Sequence, residues 1–60
     1  MTTFKIRVVS GGIERQTFVE EFESLDQLAA ELNAKIVESR PGWAFAHYGP
    51  LSSAEITYAS

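Results

Sequence analysis

The sequence predicts a small α+β fold: one single-layer antiparallel or mixed sheet of four to five strands with one helix packed on one face, in the order ββαββ or ββαβββ. Three observations predict it. Residues 3–10 alternate Phe4, Ile6 and Val8 with Lys5 and Arg7, the two-residue period of a half-buried strand. Leu25, Leu28, Ala29, Leu32 and Ile36 recur at the 3, 4, 7 and 11 offsets of a helix face. After them, short strand-like runs are punctuated by Pro41-Gly42 and Gly49-Pro50.

The first strand ends at Gly11-Gly12, which supplies the positive φ angles of a tight hairpin. It is not a phosphate loop, since no Lys or Ser/Thr follows at the required spacing and a strand comes next. The second strand runs from Ile13 to about Phe22, and its register has two solutions. A plain two-residue turn puts Val19 opposite Phe4 on the core face and turns Phe18 outward beside Lys5. A bulge or a three-residue loop instead puts Phe18 and Phe22 on the core face.

Ser24-Leu25-Asp26-Gln27 fits a capping box, and Asp26 suits the positive end of the helix dipole. The far end of the helix is open. Asn33 can adopt the left-handed conformation and stop it, leaving 35–39 as a strand; if the helix continues, Glu31 and Lys35 form an i,i+4 pair. Arg40-Pro41-Gly42-Trp43 is a type II turn signal. Strands over Trp43–Tyr48 and Ala54–Tyr58, joined by the loop 49–53, complete the chain. A ββαββ order in some 60 residues resembles, in outline and without a shared motif, the small β-grasp shape of immunoglobulin-binding domains; a strand at 35–39 departs from that outline.

Sixty residues at 45% hydrophobic and 22% charged composition are globular in character and are read as one domain, residues 1–60. A chain this short buries only about 60% of the surface its unfolded form exposes. Stability is therefore expected to be marginal or to need a partner. The usual staples have no residues to build on, because Cys is absent and His47 is the only His. No metal or cofactor site is expected, which leaves oligomerisation or a tight partner. The opening MTTFKIRVVS has no signal-peptide core and no stretch could span a bilayer, so a soluble cytoplasmic protein without a membrane partner is expected.

Catalytic sets are missing in the same way. A Ser–His–Asp arrangement would have to recruit His47 across a fold too small for a deep pocket, and His47 reads as a half-exposed strand residue or a partner contact. Glu20 and Glu21 are neighbours on a strand and point to opposite faces, so they do not converge as an acid–base pair. The chain is read as a non-enzyme.

Two features could carry recognition. The acids Glu20, Glu21, Glu23, Asp26 and Glu31 fall within a stretch without a base, whereas Lys5, Arg7 and Arg15 sit in the first hairpin. Solubility and the helix N-terminus explain such acids in part; functionally they form a negative patch that steers the domain to a basic, nucleic-acid-binding surface. The second feature is the alternation Trp43-Ala44-Phe45-Ala46-His47. Either Trp43 and Phe45 are core under the helix, the slightly preferred placement, or the helix covers the alanines. In the latter case Trp43 and Phe45, joined by Tyr58 or Phe18, form an uncovered aromatic interface beside Arg40.

The leading expectation is a protein-binding module that occludes a basic surface of its partner through Glu20, Glu21, Glu23, Asp26, Glu31, Trp43, Phe45 and His47. In size and charge it resembles the compact inhibitors of phages and mobile elements. The alternative is a homodimer through the sheet. Third is a single-stranded nucleic-acid binder, which the net charge of −3 opposes unless Lys5, Arg7, Arg15 and Arg40 gather on one face.

Overall fold

The computed structural model describes residues 1–59. Its elements are β1 (Thr2–Ser10), β2 (Ile13–Phe22), α1 (Leu25–Leu32), β3 (Lys35–Arg40), β4 (Trp43–His47) and β5 (Ser52–Tyr58). The five strands form one sheet in the order β2-β1-β5-β4-β3, with every neighbouring pair antiparallel. The last strand thus fills the centre, between the two hairpins. The strand β3 exceeds the four-strand β-grasp outline. No helix among the described residues is long and apolar enough to cross a membrane.

Local chemistry explains each break. Gly11 and Gly12 both have positive φ, 61° and 79°, as a type I′ hairpin turn requires. One residue later the β1–β2 register shifts: Val9 faces Glu14 but Val8 faces Gln16, so Arg15 is the extra residue of a bulge. The bulge restores the apolar parity of β2. Phe4 pairs with Glu20 and Ile6 with Phe18, which puts Phe18 and Phe22 on the core face and leaves Val19 exposed on the other.

Ser24 caps α1 by accepting from the Gln27 amide at 3.1 Å, while the Gln27 side chain accepts from the Glu23 amide at 2.6 Å. The reciprocal bond of the expected capping box therefore falls one residue earlier than Ser24. Asn33, at φ 55°, ends the helix. Its amide bonds the Ala30 carbonyl and the Ala34 amide bonds the Ala29 carbonyl, the paired arrangement of a Schellman motif. Lys35 and Ile36 consequently belong to β3, and Glu31 and Lys35 form no helical pair. Gly42, at φ 82°, supplies the left-handed corner of the β3–β4 turn.

The core lies between α1 and one face of the sheet. Phe4, Ile6, Phe22, Leu28, Ala44, Ala46, Ala54 and Ile56 are buried, and Val8, Phe18, Leu25, Leu32, Ala34, Ile36 and Tyr58 pack around them. Phe4 sits between two rings, 6.0 Å from Phe22 and 4.9 Å from Tyr58. Three alanines, Ala44, Ala46 and Ala54, are buried in the core where β4 and β5 adjoin. The preferred placement of Trp43 and Phe45 as core is therefore corrected. On β4 the alanines take the core side and the large residues turn to the other face, while Tyr58 and Phe18 remain on the core side.

Candidate functional site

The uncovered face of the sheet is a grid whose rows follow from the strand registers. One row runs Glu14, Val9, Ser53, His47, Lys35 from edge to edge; the next runs Thr17, Arg7, Glu55, Phe45, Glu38; the third runs Val19, Lys5, Thr57, Trp43, Arg40. The side of the molecule opposite α1 therefore carries a column of aromatic and imidazole rings on β4, flanked by charged columns.

That column is held in place from both sides. The Trp43 Nε1–H donates to Glu55 Oε2 at 3.0 Å, and Arg7 Nη2 lies 2.8 Å from the other oxygen of the same carboxylate. Arg7 also reaches Glu14 at 3.6 Å. On the far side the Arg40 guanidinium lies 5.5 Å from the centre of the Trp43 ring and pairs with Glu38. Trp43 and Phe45 are nearly parallel, 14° apart with centroids at 6.4 Å, and His47 meets Phe45 edge-on at 6.1 Å. These ion pairs are about half exposed, so each contributes about 1 kcal/mol at most; their effect is to fix orientation, which lowers the entropy lost when a surface is covered.

The acidic residues do not form one patch. Register places Glu21 on the open face and Glu20 on the helix side; Glu23 lies in the β2–α1 connection, and Asp26 and Glu31 are exposed on α1. By register the cations Lys5, Arg7, Lys35 and Arg40 all stand on the open face, where Glu14, Glu21, Glu38 and Glu55 balance them. Of the cations named for a nucleic-acid face, Lys5, Arg7 and Arg40 share it, while Arg15 is the bulge residue. Of the acids expected to share a contact with Trp43, Phe45 and His47, only Glu21 stands on their face.

Sequence reasoning missed Glu55 and Lys35. Glu55 has the right parity on β5, but its contacts with Arg7 and Trp43 need β5 between β1 and β4, a non-local pairing that no local pattern encodes. A shallow open notch lined by Leu32, Asn33, Tyr48 and Gly49 lies at the end of α1 and brings no charged side chain together. No family model matches the chain, and no curated protein or solved structure is significantly similar to it. Fold and surface together define a two-layer α+β domain with one aromatic sheet face open.

Proposed function

We propose that this chain is a non-catalytic protein-binding module that acts by occlusion, its acidic helix side covering a basic, nucleic-acid-binding surface of a target protein. One observation carries the reading: the cations are kept off the helix side. That side presents Glu20, Glu23, Asp26 and Glu31, while four of the five cations stand on the opposite face, balanced there by the other four acids. A face of one sign steers encounter with the opposite sign and repels polyanions. It therefore favours a basic protein over a nucleic acid as the partner.

The test is capture of host proteins by immobilised chain at low and high salt, with free nucleic acid as competitor. Proteins retained at low salt are expected to be released by salt and by the competitor, which needs the same basic surface. Reversing Glu20, Glu23 and Glu31 together to Lys is expected to weaken capture about tenfold or more. Glu21→Lys, on the other face, is expected to leave it unchanged. Capture indifferent to the triple reversal would remove the reading.

A further inference from the structure

The open face has the properties of an interface between two copies of this chain, an inference that goes beyond the occlusion reading and does not depend on it. A helix-and-sheet pair leaves one sheet face without a layer, and the sequence offers neither disulfide nor metal to compensate for its small size. Two routes to a dimer exist, edge to edge and face to face. Both edges carry a bulge, β2 at Arg15 and β3 at Val37, and a bulge interrupts the row of free amides and carbonyls that an added strand would use; on β2 it leaves residues 16–22 regular. The face offers the larger surface.

We infer that two copies pack open face to open face about a two-fold axis parallel to the central strand β5. Such an axis lays each row of the grid on its own reverse. Glu14 of one copy then meets Lys35 of the other across the outer edge. Arg7 and Lys5 lie over the second copy's Phe45 and Trp43, a cation–π geometry, and small Ser53 and Thr57 meet their counterparts at the axis. Glu55 meets its counterpart too, each carboxylate engaged by Arg7 and the Trp43 N–H within its own chain. The other in-plane axis, perpendicular to the strands, would lay each column on its own reverse and set Arg7 on Arg7, Glu38 on Glu38 and Lys35 on Arg40. An isologous interface has to be self-complementary, and the first axis comes nearer to that, with Glu55 on Glu55 as its one like-charge contact.

Size agrees with a weak but specific dimer. Five strands at about 4.8 Å spacing and three rows of side chains cover roughly 500 Å² per copy, or about 1,000 Å² in total, at the lower end of specific interfaces. Aligned sheets cross at about −30°, which offsets the outer rows by roughly 5 Å, a gap the long side chains of Glu14 and Lys35 span. The dimer would carry its two acidic helix sides outward, on opposite ends.

Sedimentation equilibrium from about 10 µM to 1 mM tests this, with circular dichroism to verify that each variant is folded. The unmodified chain is expected to pass from its 6.7 kDa monomer to a dimer with a midpoint of roughly 10–100 µM. Glu14→Lys and Lys35→Glu are each expected to shift that midpoint upward about tenfold, and the two together to restore it. Within one chain these residues are four strand spacings apart, about 19 Å, so rescue reports a contact between copies. A monomer at 1 mM, or a dimer unmoved by either reversal, would overturn the inference. So would a monomer whose Trp43 fluorescence changes only when a single-stranded oligonucleotide is added, which would give the face to nucleic acid.

Discussion

The two faces of the sheet are built from the same strands with opposite logic. On β4 the covered face carries Ala44 and Ala46 and the open face carries Trp43 and Phe45; on β5 the covered face carries Ala54 and Ile56 and the open face Glu55 and Thr57. On β4 the large aromatic residues stand where no helix lies and the small ones on the covered side, whereas on β1 and β2 the covered side takes Phe4, Phe18 and Phe22. The difference teaches that on β4 volume, more than hydrophobicity, assigns a residue to its side. A helix needs a close approach, and alanine allows it; a ring needs space, and the bare side offers it.

Substitutions can break that contrast, and the largest effect belongs to the covered face. Ile56→Ala removes a fully buried side chain and is expected to cost about 2–5 kcal/mol in urea unfolding, most of the stability of a domain this small. Next is overpacking. Ala44→Leu, under α1, is expected to cost about 1–3 kcal/mol, while Thr57→Leu on the open face should stay within about 0.5 kcal/mol in the monomer. If both leucines cost alike, the volume argument fails.

Trp43→Ala is expected to leave the domain folded, with a loss of roughly 1–2 kcal/mol from partial burial and the bond to Glu55. Unfolding of that variant would return Trp43 to the core. Smallest is the cap: Ser24→Ala should cost about 1 kcal/mol, measured by thermal unfolding, because the Gln27 amide loses its acceptor.

The contrast also marks what a sequence can reveal. The two glycines of the first turn, the Ser24 cap, the Pro41-Gly42 corner and the leucine stripe act through neighbours in the chain, and all were legible. Whether α1 ends at Asn33 was open, because Asn can sit in either conformation and only the paired bonds from Asn33 and Ala34 to Ala30 and Ala29 decide it. The β2 register was open for a similar reason: the bulge at Arg15 is selected by burial of Phe18 and Phe22 against α1, a long-range gain. The open face was half legible. Trp43, Phe45 and His47 announced a common side through their spacing, yet the side itself depends on the alanine gap, and Glu55 joins it only through the central position of β5. The acidic run was half legible: strand alternation already put Glu20 and Glu21 on opposite faces, as the register has them, and that alternation divides the single patch the run suggested.

The central claim is that Trp43, the only tryptophan, lies half-buried on a face that no helix covers in the monomer and that is covered on association. Acrylamide quenching of its fluorescence, followed from about 1 µM to 1 mM protein, tests that claim most directly. A red-shifted, readily quenched emission at the dilute end, turning blue-shifted and protected as concentration rises, is the expected result; emission already blue-shifted and protected in the dilute monomer would contradict it.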